Sequence, residues 1–504
     1  MSKFGKFVVN GIILTLTALL MRTVSLAFNA YITKKVGAEC IGLFSVIMSV
    51  YGFVVTLATS GINLASTRMV SEYIGVGDMA RAKESLLKCL SYATFFGCFA
   101  SFILFTFADP IGKNILGDER TILSLRIMSV SLLPIALSSC VNGYFTAVRR
   151  PAKNAVAQIF EQAMKIMLIT YGLMLLMPSG IEWACVAMVA GGAVSEFLSF
   201  AFLGTMFLFD KRALGKAKMT RHRETTGYML KISLPVALSS YVRSLLLTLE
   251  HILIPKRLTK SGKNRSEALA SYGALHAMAI PIVLYPFSFI GAFSGLLVPE
   301  MSESMASGDR GRICRITEKA ISATLLFSIG ASAIMIVFSS RIGQAVYSSA
   351  EAGAYIALIA PVIPIMYLDS VVDSILKGIG EQVYSMGVNI SDSAISIVLV
   401  WFILPVYGAK GYALVITVTE IYNFAMSTVR LQRKVGFRFS FIRNIIIPLL
   451  SSVFICRFCC QYIFANSVST PISLSLQIFI CASSYALLEF VCESIFKRRK
   501  KQKV

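Results

Sequence analysis

Long apolar stretches, each about one membrane thickness of helix, recur along nearly the whole chain. Short polar segments rich in Lys and Arg separate them. A helix needs about 20 mostly apolar residues to cross the hydrocarbon layer. On that rule the pattern predicts spans near 8–32, 41–65, 89–108, 122–147, 155–177, 184–209, 231–254, 271–298, 319–339, 353–376, 384–404, 411–430, 444–464 and 472–494. These are fourteen, an even number, so both termini emerge on one side. The longest stretch without a dominant apolar segment is about twenty residues, Asp210 to Lys231, too short for a soluble domain. The first apolar run continues past Arg22 to about Ile32, which reads as a span and not as a cleaved signal.

Composition agrees. Of 504 residues, 56% are hydrophobic and 15% charged, where a soluble chain carries about 25% charged residues. The expected class is an all-α polytopic membrane protein. A net charge of +22 would suggest nucleic acid in a soluble chain. Here the position of the charges gives another reason. With the N-terminus inside, inner segments hold 32 of the 48 Lys and Arg, outer loops hold 12, and four lie within spans. Cytoplasmic loops collect Lys and Arg, so both termini are placed in the cytoplasm. The segment Arg430 to Arg443 and the tail Lys497 to Lys501 are the strongest anchors. One outer segment departs from the rule: Lys256 to Arg265 carries five cations, read either as a solvated loop or as a landing for anions at the outer mouth. The eleven cysteines show neither zinc nor disulfide spacing and read as small packing residues.

The chain repeats itself. Ser71-Glu72-x4-Gly77-Asp78-x2-Arg81 follows span 2, and Ser302-Glu303-x4-Gly308-Asp309-x2-Arg312 follows span 8, at an offset of 231. Arg22 in span 1 has a counterpart in Arg243 of span 7, and Pro134 in span 4 one in Pro364 of span 10. An offset of six spans keeps orientation, so the repeats are parallel, related by an axis along the membrane normal. The predicted architecture is a lobe of helices 1–6 (residues 1–230), a lobe of helices 7–12 (231–443), and an appended pair with the basic tail (444–504). Two lobes about a central cavity suit alternating access. The repeated loops read as helix stops and caps.

A charge near the bilayer centre costs about 2.5–3.5 kcal/mol on insertion scales, so each one requires a reason. Arg22 lies about 18 Å before Lys34 and Arg243 about 18 Å after Lys231, both near mid-membrane. Two guanidiniums can each fork onto phosphate oxygens and cannot discharge by losing a proton, which suits a pyrophosphate. Glu161 and Lys165, one turn apart, either neutralise one another or leave Lys165 as a third cavity cation. Glu196, Asp392 and Glu420 lie equally deep. They read as counter-ions to the arginines or as sites for a coupling proton or sodium ion. Asp369 and Asp373, one turn apart on span 10, complete the set of ion-coupling candidates. No phosphate-binding Gly-x4-Gly-Lys-Ser/Thr loop, catalytic triad or metal-ligand spacing occurs, so neither enzyme activity nor a cofactor or metal is expected.

The 6 + 6 + 2 arrangement and the Gly-Asp-x2-Arg loops resemble the polysaccharide-flippase branch of the multidrug/oligosaccharidyl-lipid/polysaccharide exporter superfamily. So does the early stretch Phe28-Asn-Ala-Tyr-Ile-Thr-Lys-Lys-Val-Gly-Ala-Glu-Cys-Ile-Gly-Leu-Phe44. Within that branch the chain is most similar to the stage V sporulation protein B family. The resemblance implies a fold of the MATE and MurJ kind. It also implies flipping of undecaprenyl-pyrophosphate-linked sugars, lipid II-like or polysaccharide precursors, for wall or spore cortex. The related lipid II flippases carry cavity arginines, and only Arg22 is carried over from them. Span 2 holds no arginine, and span 8 has His276 instead of one. A sodium- or proton-coupled multidrug antiporter of the same superfamily is the alternative, though it would want an acidic cavity and only twelve spans. A scaffold for wall-synthesis enzymes would require no mid-membrane charge at all.

Overall fold

Helix α1 (Lys3–Thr59) covers the first expected span and most of the second. Its 57 residues would measure about 85 Å if straight, far beyond a hydrocarbon layer. It breaks instead at Gly37, whose φ of 83° and ψ of 170° lie where side chains are strained and glycine is not. In the computed structural model, which describes residues 3–210, 224–459, 461 and 471–501, no strand occurs among the described residues. After α1 come α2 (Ile62–Gly75), α3 (Met79–Thr106), α4 (Thr121–Ala147), α5 (Pro151–Leu176), α6 (Ile181–Asp210), α7 (Glu224–Lys260) and α8 (Arg265–Tyr272). They are followed by α9 (Phe287–Ala306), α10 (Arg310–Tyr347), α11 (Ala350–Ile359), α12 (Ile363–Gly378), α13 (Gln382–Val435), α14 (Ile447–Phe458) and α15 (Pro471–Lys501).

Ten helical stretches among the described residues are long and apolar enough to cross a membrane. Fourteen are expected from hydropathy, and the difference has physical causes. The stretch from α1 to α2 and the 54-residue α13, broken at Gly408 (φ 60°, ψ −152°), each cover two expected spans. The eighth span is interrupted: α8 passes into a wide π-helical turn (Gly273–Ala279), a short helix (Ile280–Val283) and a turn before α9. The thirteenth is represented by the 12-residue α14, and residues 462–470, where it should end, lie outside the described residues. So do residues 211–223 of the expected polar stretch, and Cys460.

The chain forms two compact units. The first comprises residues 1–28 and 36–255, the second residues 29–35 and 256–504. The division lies at 255/256, inside α7.

In the first unit, side-chain hydroxyls and amides bond to backbone carbonyls, the short-range adhesive available where lipid removes the hydrophobic drive. Asn63, Ser66 and Thr67 of α2 donate to the carbonyls of Ser139, Cys140 and Gly143 on α4, at 3.2, 2.9 and 3.1 Å. The helices approach so closely that a Cβ added at Gly143 would stand 2.7 Å from the Asn63 carbonyl oxygen. Tyr241, Ser244 and Thr248 of α7 bond to Leu57, Thr56 and Ser49, docking α7 on the later half of α1.

The second unit uses the same devices. Ser332 donates to the Ala360 carbonyl at 2.7 Å, Tyr367 to Val283 at 2.6 Å and Ser302 to Gly378 at 3.0 Å. Tyr485 of α15 reaches the Leu326 carbonyl at 2.8 Å and fixes α15 on α10.

The repeat is visible in backbone hydrogen bonds. Asp78 caps α3 by accepting from the Arg81 amide at 2.9 Å, and Asp309 caps α10 through the Arg312 amide at 2.8 Å. Gly77 (φ 79°) and Gly308 (φ 71°) supply the left-handed residue before each cap. At the next corner, Arg149 and Arg150 amides bond to Thr146 and Phe145 carbonyls, and Gly380 and Glu381 amides to Lys377 and Leu376. All four positions keep the offset of 231. The corner is then tied to the end of the following helix pair with the signs exchanged. Arg150 and Lys153 hold Asp210 in the first unit, whereas Glu381 holds Arg430 at 2.7 Å and Lys434 at 2.6 Å in the second.

The cationic segment Lys256 to Arg265 is not a solvated loop throughout. Helix α7 continues to Lys260, and Arg257 is buried with its guanidinium over the Trp401 ring. That cation–π contact supplies the environment a buried guanidinium requires. Asn264 and Glu267 close a capping box that starts α8.

Candidate functional site

Each unit carries a polar cluster inside its apolar helices, on equivalent helix pairs. In the first unit the pair is α5 and α6. Glu161 accepts the Ser199 hydroxyl at 3.2 Å, and Glu196 lies within electrostatic reach of both Glu161 and Lys165. Lys165 is half-buried, its Cε 3.9 Å from where a Cβ on Gly192 would stand, so its stem runs along α6. Among the described residues Lys165 closes no ion pair within 4 Å, with Glu161 or any other carboxylate. The cluster extends to Tyr51 of α1, which shares a 2.6 Å hydrogen bond with Ser131 of α4 and senses both glutamates.

In the second unit the pair is formed by α13 itself, whose halves lie antiparallel on either side of Gly408. Tyr384 donates to the Met426 carbonyl at 3.2 Å, Asn423 to Asn389 at 3.3 Å, and Ser391 and Tyr422 share a 3.0 Å bond. One turn along from that asparagine pair in each half lie Asp392 and Glu420, and Glu420 senses both Asp392 and Asp369 of α12. Asp392 stands 231 residues after Glu161, so the two clusters are one feature of the repeat. Asp373 is apart from them: it pairs with Lys377 at 2.7 Å and accepts the Ser385 hydroxyl. Asp369 and Asp373 therefore face different partners.

Arg22 is half-buried on α1 before the Gly37 break, and Arg243 is exposed on α7. Both belong to the first unit. The bonds from Tyr241, Ser244 and Thr248 turn their face of α7 onto α1 and leave Arg243 outside that contact.

The second expected span is interrupted at Ser60–Gly61 (Gly61 φ 79°), the eighth at Leu284–Pro286. These are matching members of the two repeats, and paired discontinuous helices mark binding regions in transporters. Hydropathy alone did not reveal them, because apolar residues continue on both sides. The carboxylate pairs were legible one residue at a time but not as pairs. The signal lay in the offset between Glu161 and Asp392. Among the described residues no three His, Cys, Asp or Glu side chains come close enough to hold a metal ion.

Each unit thus holds carboxylates among apolar helices, where the dielectric is low. The arginines suit a phosphate-bearing anion. The carboxylates, joined in the second unit by two amide side chains, suit a small cation or a proton.

Comparison with known proteins places these features in context. The profile of the polysaccharide biosynthesis protein family matches residues 7–305, and the MatE profile matches residues 260–402. The chain is 24% identical over 420 residues to stage V sporulation protein B of Bacillus subtilis (strain 168), covering 81% of this chain and 80% of that one. It is 23% identical over 467 residues to the lipid II flippase MurJ of the same organism, covering 88% and 86%. Among solved structures, an inward closed conformation of lipid II flippase MurJ superposes with a TM-score of 0.73 at 16% identity, covering 97% of this chain and 99% of that one. An inward-facing multidrug resistance MATE transporter of the MOP superfamily gives 0.68 at 14% identity, covering 84% and 98%. The fold is thus the one these transporters share, in a multi-pass membrane protein.

Proposed function

The chain belongs to the polysaccharide biosynthesis protein family, and on that premise we propose that it flips an undecaprenyl-pyrophosphate-linked sugar across the cytoplasmic membrane. The cargo is a lipid II-like or polysaccharide precursor for wall or spore cortex, and both termini lie in the cytoplasm. One observation carries the choice of cargo. The lipid II flippase structure is matched over 97% of this chain, the MATE exporter over 84%, although that exporter is itself almost fully covered. The part left over is the size of an appended helix pair, which a lipid-linked cargo can use and a small soluble one does not require.

In this reading the lobes are those of the repeat, residues 1–230 and 231–443, with 444–504 appended. Arg22 and Arg243, with Lys165, hold the pyrophosphate. A guanidinium forks onto two phosphate oxygens and keeps its charge throughout the physiological pH range, so it does not release cargo by deprotonating. Release instead follows rocking of one repeat against the other, which exchanges one set of cation contacts for water. The broken second and eighth spans give each repeat a place to bend. Asp369, Asp392 and Glu420 in one unit and Glu196 in the other take a coupling sodium ion or proton, or balance the arginines. Asp373, engaged with Lys377, serves as a local counter-ion.

The carboxylate clusters also favour a second reading, a sodium- or proton-coupled multidrug antiporter, for which acids in the cavity would hold a cationic drug. Reconstituted vesicles separate the two. The flippase exposes a fluorescent undecaprenyl-pyrophosphate sugar to an impermeant quencher on the opposite leaflet. The antiporter leaves that lipid in place and accumulates a cationic dye against a sodium or proton gradient.

A further inference from the structure

Two grooves lie side by side in the second unit, at the end bearing the basic segment Arg430 to Arg443. The first, about 860 Å³, is of mixed lining, bounded by α10, α14 and α15, with the charges of Lys319, Arg438, Arg443, Glu318 and Glu489 set among apolar groups. The second, about 550 Å³, is almost wholly apolar, bounded by α10, α12, α13 and α14, with Leu325, Leu368, Phe424 and Leu449 among its lining. The wall between them is the non-helical run that follows α13. Its Phe437 faces the apolar groove, its Arg438 and Ser440 face the first one, and Phe439 borders both.

The wall is pinned in place. The Arg438 amide donates to the Glu318 carboxylate at 2.8 Å, and Ser322 of α10 donates to the Asn444 side chain at 3.1 Å. A π-helical turn, Ile442–Ile446, follows and carries Arg443. Such turns are frequent where a helix serves a ligand. Glu318 accepts that amide and the Cys314 thiol, and with Glu489 it leaves the three cations of the groove one net positive charge.

We infer that these joined grooves bind a resident anionic phospholipid of the inner leaflet, its phosphate between Arg438, Arg443 and Lys319 and one acyl chain in the apolar groove. The charge is right, because basic pockets between membrane helices on the cytoplasmic side take anionic headgroups. The second groove, lined almost wholly by apolar side chains, offers an acyl chain a matching surface beside those cations. The bound lipid would brace the appended helices against α10 and makes the protein's stability depend on membrane composition.

The test is lipid binding to the full-length protein, purified in mild detergent and stripped of lipid, read by native mass spectrometry. Dioleoylphosphatidylglycerol should bind about tenfold or more tightly than dioleoylphosphatidylcholine. Arg438→Gln with Arg443→Gln, both exposed side chains, should weaken the anionic lipid about thirtyfold, at the worth of one cation each near an anionic surface. Affinity for the zwitterionic lipid should stay unchanged. Leu449→Trp, at a half-exposed position in the apolar groove, should weaken both lipids. An anionic lipid bound equally well by the double variant overturns the inference. Inorganic phosphate displacing phosphatidylglycerol at equal concentration would mark a free-phosphate site instead. One-for-one displacement by undecaprenyl-pyrophosphate sugar would give the groove to the cargo.

Discussion

Lys165 offers the sharpest internal test, because its two readings predict different losses. The structure sets it on α5 beside Gly192 of α6, within electrostatic reach of Glu196, with Glu161 bonded to Ser199. If this cation balances the two glutamates, Lys165→Gln leaves two carboxylates facing one another in the membrane interior. Groups in one network couple by about 0.5–3 kcal/mol, and half-burial places this case near 1–2 kcal/mol. For a unit of about 250 residues, each kcal/mol lowers the melting temperature by roughly 2–4 °C, so Lys165→Gln should lower it by roughly 2–8 °C. Adding Glu196→Gln removes the repulsion and should restore most of the loss. The assay is thermal unfolding of purified protein for the four members of the cycle. Additive effects, with no recovery in the double variant, would refute the balancing role. A Lys165→Gln variant that melts normally yet binds the lipid-linked sugar poorly would place Lys165 with the substrate cations.

Three further outcomes follow from the geometry. Gly143→Ala should destabilise the first unit by about 1–3 kcal/mol, because the new methyl meets the Asn63 carbonyl and Ser66 side chain at under 3 Å, and thermal unfolding would register it. Hydrogen bonds from Lys434 and then Arg430 hold the Glu381 carboxyl below the usual carboxylate range. Its contribution is therefore present above the ordinary value of about 4.3 and lost as pH falls through the lowered one. The melting-temperature gap between the unmutated protein and Glu381→Gln should be constant from pH 7 to about pH 5 and close on further acidification. Cys40 and Cys185, both buried, have sulfur atoms 3.5 Å apart. A small membrane-permeant oxidant should link them, shown by altered mobility on non-reducing gels that Cys185→Ser abolishes.

Much of the fold is legible in the sequence, and the parts that are not share a cause. The loop repeat forecast caps at Asp78 and Asp309, and both are present, because the cap is a local contract between a side chain and an amide three residues on. Hydropathy sees only apolar length. It could not tell that α13 stays helical up to and past Gly408, or that the second span is interrupted at Gly61, since one residue's φ decides each case. Nor could it find the Arg257–Trp401 contact, whose partners lie 144 residues apart, so a cationic segment read as a loop is partly helix. The same holds for Cys40 and Cys185. The charges within spans are legible one at a time, but the grouping of Glu161 with Glu196, and of Asp392 with Glu420, depends on the helix pairing.

The central claim is that intramembrane arginines hold a pyrophosphate. It is tested most directly by equilibrium binding of undecaprenyl-pyrophosphate sugar to the purified protein and to Arg22→Ala plus Arg243→Ala, with a cationic dye as competitor. Each good charge-assisted hydrogen bond contributes about 1.5–3 kcal/mol, so losing one per arginine predicts affinity lower by about a hundredfold or more. Dye affinity should remain low in both proteins. Lipid affinity that survives the double substitution, with dye binding that is strong or strengthened, would contradict the flippase reading and favour the cation exporter.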